Sequence, residues 1–171
     1  MTGITYTVDA PLLDDELKKL NGYEAVAGQK LRDAMTKSVI KVQGGAREGA
    51  PVGVSGRLRQ SIGWNVSGGG SDITGWVGST MKNEVYPSVM EGGRRPGTMP
   101  PSSALERWVH IVLGVPENEM RSVAYLVARA IQRRGIKGKF FLWNSYLKFR
   151  SVIIGYFHVA GEEILKAMKV S

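Results

Sequence analysis

Thirty consecutive residues, Arg121 to Arg150, hold eight of the chain's 23 Lys/Arg and none of its 15 Asp/Glu. The other 141 residues balance at 15 against 15, so the whole formal charge of +8 sits in one block. Unpaired cations stay out of cores, which obliges this segment to keep one face in solvent or against an acidic partner. Val123, Leu126, Val127, Ala130 and Ile131 fall at i, i+3, i+4, i+7 and i+8, the apolar stripe of a helix. Arg133 and Arg134 complement the negative end of its dipole, and Gly135 is placed for a left-handed C′ position. A basic connector, Ile136 to Lys139, then leads into Phe140-Phe141-Leu142-Trp143. Two readings of the block stand: a buried helix with a solvated basic rim, or a surface for nucleic acid or an acidic partner.

At 171 residues the chain is long enough for a single domain, 1–171, with a proper core. It has no cysteine, which excludes disulfides, thiolate zinc sites and cysteine nucleophiles. The first residues, MTGITYTVDAPLLDDELKK, are too acidic for a signal peptide, and the longest apolar run, Val152 to Ala160, is far short of the ~20 residues of a membrane span. The expectation is a soluble protein with no membrane contact.

In chain order, residues 1–11 read as an extended arm. Leu12, Leu13, Leu17 and Leu20 predict a short helix, with Asp14, Asp15 and Glu16 in its first turn and Asn21-Gly22 as punctuation. A longer helix follows to about Gln43, with Ala27, Leu31, Ala34, Met35, Ser38 and Val42 on one face, and stops at Gly44-Gly45. Leu58, Ile62, Trp64 and Val66 share one parity, which predicts a half-buried strand. A glycine-rich turn and a returning strand, Ile73 to Ser79, complete a hairpin, and Val85 to Met90 reads as a further strand with Pro87 at an edge. The stretch EGGRRPGTMPP predicts a long surface loop, 91–102, without a regular ladder, and such loops are often functional. Ser103 and Glu106 are spaced as a capping box, opening a helix that ends at Gly114. After Trp143 an amphipathic helix runs towards Lys169, with Leu147, Ile154, Phe157, Gly161, Ile164, Leu165 and Met168 as expected buried positions. The fold class is α+β: an antiparallel sheet of about three to four strands, flanked by a long N-terminal helix and two or three C-terminal helices.

Catalytic residues are sparse. His110 and His158 stand alone in apolar helical stretches and read as structural. No HExxH, GxSxG or Walker-type loop is present, and Gly53 and Gly56 precede a strand, so they form no dinucleotide fingerprint. Asp14-Asp15 and Glu162-Glu163 are explained by dipoles and solvation. No enzymatic activity, metal or cofactor is expected. Nucleic-acid binding is better supplied, because aromatic residues (Tyr125, Phe140, Phe141, Trp143, Tyr146, Phe149) interleave with the cations. No sequence-reading module is visible, so any such contact is to phosphate, through Arg129, Arg133, Arg134, Lys137 and Lys139.

Taken in order, APVGVSGRLRQSI, Tyr86…Val89-Met90-Glu91-Gly92, Leu105…Trp108-Val109 and AYLVARAIQRRGIKGKFFL resemble the gene-product-ten-like tail components of tailed bacteriophages. The resemblance covers about residues 25 to 150. Val54-Ser55 stands where that family usually has Asp/Thr, and Phe140 where it usually has proline. The resemblance implies a structural virion protein that forms a ring of six or twelve copies in the head–tail neck, for head–tail joining or tail completion. A tail terminator ring is the nearest alternative, and a non-specific nucleic-acid-binding module using the basic block 121–150 is another. Its implied partners are itself, an adjacent connector or head-closure protein, and a tail-terminator or tail-tube protein, with genomic DNA in passing contact. Its place would be the virion, after assembly in the host cytoplasm. Arg94, Arg95 and Met99 in the long loop are the expected contacts with a neighbouring subunit or ring.

Overall fold

A computed structural model describes residues 11–69, 72–81 and 85–169, with side chains from Gly22 onward. The expected N-terminal arm therefore lies outside the described residues, apart from Pro11. The elements run α1 (Pro11–Gly49), α2 (Arg57–Ser61), β1 (Ile62–Gly69), β2 (Asp72–Ser79), α3 (Tyr86–Gly92), β3 (Gly93–Arg94), α4 (Ser103–Leu113), α5 (Glu117–Arg134), β4 (Ile136–Lys137) and α6 (Phe141–Lys169). The fold is α+β as expected. Its strands form two antiparallel pairs, β1–β2 and β3–β4.

The two helices expected at the N-terminus are one, running without a break through Gly22 and Gly44-Gly45. The reason is tertiary. A Cβ on Gly45 would stand 2.5 Å from both the Phe149 ring and the Ser145 hydroxyl of α6, so glycine marks the closest approach of two packed helices rather than a stop. The Ser145 hydroxyl also donates to the Val42 carbonyl of α1 at 2.7 Å. Ala34, Ser38, Val39, Val42 and Ala46 give α1 its buried face.

The β1–β2 hairpin lies on α1. A Cβ on Gly75 would meet Met35 and Val39, and side chains of α1 satisfy carbonyls of β1: Arg32 donates to Gly68 at 2.8 Å, and Gln43 and Arg47 to Ile62 at 2.8 and 3.1 Å. The expected strand begins late, because Leu58 belongs to α2. Leu58 and Ile62 are four residues apart, a spacing that puts two side chains on one side in a helix as well as in a strand. Both are buried, in a cluster with Ala46, Ala50 and Phe141.

Val85–Met90 is not a strand. Tyr86 to Gly92 form α3, whose first turn accommodates Pro87 because no intrahelical partner is lost there. The capping box at Ser103 is also absent. Ser102 at the N-cap has helical backbone angles and no side-chain cap; the first amides are met by main-chain bonds from Ala104 to Pro101 and from Leu105 to Ser102. On α5 the buried positions are Ala124 and Ala128, with Val123, Val127 and Ile131 half-buried; Leu126 and Ala130 face out. The stripe is thus rotated by about one residue from the expected one, because two alanines allow α4, through Val109, to come close.

Candidate interaction surface

The basic elbow is built on three glycines. In the β3–β4 pair, Gly93 stands opposite Lys137 and Arg94 opposite Ile136. A Cβ on Gly93 (φ 84°) would lie 2.6 Å from the Ile136 carbonyl oxygen, one on Gly138 would lie 2.5 Å from that of Glu91, and one on Gly135 would strike that of Arg94. Gly135 has φ 71° and ψ −161°, so it is not the left-handed cap expected but a conformation open to glycine almost alone. The loop 91–102 is accordingly no free loop. Glu91 and Gly92 end α3, Gly93 and Arg94 pair with β4, and the Gly97 amide donates to the Gln132 carbonyl at 2.8 Å.

This pairing brings Arg94 and Arg95 beside Lys137, along one open groove that Gly92, Gly138 and Phe140 also line. Arg94 is half-buried and donates to the Thr98 carbonyl at 2.6 Å; Arg95 is exposed and Met99 half-buried. Lys137 and Lys139 are exposed at the elbow, and Arg134 in the last turn of α5. Arg129 and Arg133 lie on the outer face of α5, away from Ala124 and Ala128. None of these five cations has a carboxylate partner among the described residues. The nearby Glu91 is otherwise engaged: its two carboxylate oxygens accept the main-chain N–H groups of Leu142 and Trp143, both at 3.0 Å.

The histidines are placed structurally. His110 Nδ1 contacts the Val115 carbonyl at 2.8 Å across the α4–α5 turn, and exposed His158 lies 3.5 Å from Glu162. Among the described residues no group of His, Asp and Glu could hold a metal ion, and no helix is long and apolar enough to cross a membrane.

The sequence reading missed two things. One is the Glu91 clamp, whose partners are more than fifty residues away. The other is the outer face of α6: Leu147, Ile154, Leu165 and Met168, expected inside, are about half exposed, as is Trp143. The helix buries a different face on α1, using Phe141, Ser145 and Ala160. Trp143, Leu147, Arg150 and Ile154 stand at i, i+4, i+7 and i+11, so the second face could have been read as a stripe of its own.

Residues 13–89 match the family described as "Bacteriophage HK97-gp10, putative tail-component". The resemblance to phage tail components is borne out over that segment, which runs from α1 through the β1–β2 hairpin into α3. The motifs after Val89 lie outside it. No curated protein and no solved structure matches the chain. The match supports a structural role in a phage particle.

Proposed function

We propose that the chain is a structural subunit of a tailed-phage neck, closing into a homo-oligomeric ring that takes part in head–tail joining or tail completion. In this reading residues 1–171 form one domain, the loop 91–102 reaches neighbours, and Arg94, Arg95 and Met99 contribute to those contacts.

The observation that carries the reading is apolar side-chain surface left in solvent. Trp76, Leu126, Trp143, Leu147 and Ile154 are between 47 and 60% exposed. A subunit with that much apolar surface exposed gains stability by covering it against neighbouring copies, and head-to-tail contacts between copies close into rings when the rotation allows.

Native mass spectrometry and negative-stain images of the purified protein test this, with a closed ring of six or twelve copies expected. Deleting the gene should leave heads and tails that fail to join, or tails of abnormal length. Normal infectious particles without the protein would overturn the reading.

The second reading, a non-specific contact with DNA, is favoured by one feature: Arg129, Arg133, Arg134, Lys137 and Lys139 are all exposed without acidic partners among the described residues. Phosphate binding there would fall steeply between roughly 50 and 200 mM salt. Absence of binding at low salt would exclude it.

A further inference from the structure

Two apolar surfaces on this chain are separate, exposed and opposite in charge. The first is the outer face of α6, where Trp143, Leu147 and Ile154 are 55, 49 and 58% exposed with Arg150 among them. Residues 141–161 contain Lys148 and Arg150 and no Asp or Glu. The second is the tip of the α4–α5 helical hairpin, where Ile111, Val112 and Leu113 are 52, 46 and 50% exposed. Residues 110–120 contain Glu117 and Glu119 and no Lys or Arg. The hairpin packs chiefly on itself, through Val109, Ala124 and Ala128, and reaches the body through the β3–β4 pair and the Gly97–Gln132 bond at its base. Its tip is therefore the end farthest in sequence from that attachment.

We propose that the hairpin tip of one copy docks on the outer face of α6 of the next copy, with Glu117 and Glu119 facing Arg150. This deepens the ring reading and rests on it. Two different patches of one chain make a head-to-tail contact, and head-to-tail contacts close into rings when the rotation per copy allows. Like patches would instead pair about a two-fold axis and stop at a dimer. The apolar residues supply the burial, and the charges set the register and disfavour tip-on-tip and α6-on-α6 approach.

The test uses two variants of the full chain, Val112→Asp with Leu113→Asp at the tip and Leu147→Asp with Ile154→Asp on α6. The substituted side chains are about half exposed, so each variant should keep the helical circular-dichroism signal of the wild type. In native mass spectrometry each variant alone is expected as a monomer, while a one-to-one mixture gives a heterodimer, because one intact tip meets one intact α6. A wild-type ring that either variant still forms overturns the docking and leaves the ring reading standing. A dimer formed by the tip variant alone, and abolished by the α6 variant, assigns the α6 face to α6 of a second copy and overturns it too. A wild type that stays monomeric at all concentrations removes the ring reading and the docking together.

Discussion

Glu91 holds Trp143 at the start of α6: its Oε1 accepts the Trp143 amide at 3.0 Å while Oε2 accepts that of Leu142. The carboxylate comes from α3 but acts as an N-terminal cap, meeting two orphan amides and the positive end of the α6 dipole. Glu91→Ala should cost about 1–2 kcal/mol, the range of a lost cap. Urea unfolding measures it, and an unchanged midpoint would show the clamp to be idle.

Adjacent glycines should respond in opposite directions. Nothing lies within 4 Å of a Cβ on Gly44, so Gly44→Ala is expected to stabilise α1 by about 0.5–1 kcal/mol. Gly45→Ala drives a methyl group into Phe149 and Ser145 and should cost about 1–3 kcal/mol. Thermal unfolding of the two variants, compared side by side, checks the pair.

Phe140 has φ 50°, the one described non-glycine residue in the left-handed region. Its ring is 47% exposed, so little packing offsets the strain. Phe140→Gly should raise stability by up to about 1 kcal/mol. Proline at this place would have φ fixed near −65° and would also lose the Phe140 amide bond to the Glu91 carbonyl. Phe140→Pro is therefore expected to destabilise, and a neutral result would mean that the elbow repacks.

Lys30 and Glu163 join α1 to α6 at 2.7 Å. The hydrogen bond, and then the opposite charge, raise Lys30 above its ordinary 10.5 and lower Glu163 below its ordinary 4.5. The contribution of Glu163 is present above its unfolded value and is lost as pH falls through the folded one. That of Lys30 is present below its unfolded value and is lost as pH rises through its folded one. The pair should thus contribute evenly between about pH 4.5 and 10.5 and fade on either side. Both groups are solvent-exposed, so the effect is small and salt-sensitive. Denaturant midpoints of wild type and Glu163→Gln should differ inside this window and converge outside it.

Arg94 and Arg95 are neighbours with different duties. Arg95→Glu alters an exposed side chain and should leave the melting temperature nearly unchanged, within about 0.5 kcal/mol. On the proposed neck reading it should also weaken attachment to a neighbouring ring, read by co-sedimentation with neck particles. Arg94→Glu also loses the bond to the Thr98 carbonyl and is expected to be the less stable of the two.

What the sequence made legible follows from how local each signal is. The α5 and α6 helices, the end of α4 at Gly114 and the returning strand of the hairpin rest on periodicity and left-handed glycine, which act within a few residues. The continuity of α1 through Gly44-Gly45 depends on Phe149, and the β3–β4 pair joins Arg94 to Ile136, so neither leaves a local trace. Tyr86-Pro87 suits an edge strand and a first helical turn equally, so the residues themselves did not single out the helix that forms. For the candidate site, the concentration of cations was visible, but the meeting of Arg94 and Arg95 with Lys137 was not. The outer face of α6 was misjudged because two apolar stripes share one helix, and only the position of α1 shows which is inside.

The register of α1 on α6 fixes a dimension. Gly49 lies beside Phe141 and Lys30 beside Glu163, an antiparallel pairing in which α6, ending at Lys169, comes level with about residue 24 of α1. The turns from Pro11 to that point continue as roughly 20 Å of helix beyond the end of α6, about two helix diameters. They form a cantilever whose reach is counted in residues. Inserting seven residues there, close to two whole turns, would lengthen it by about 10 Å while turning its face by only about 20°. The spacing between whatever the two ends of the subunit touch is thus set by a number of peptide units.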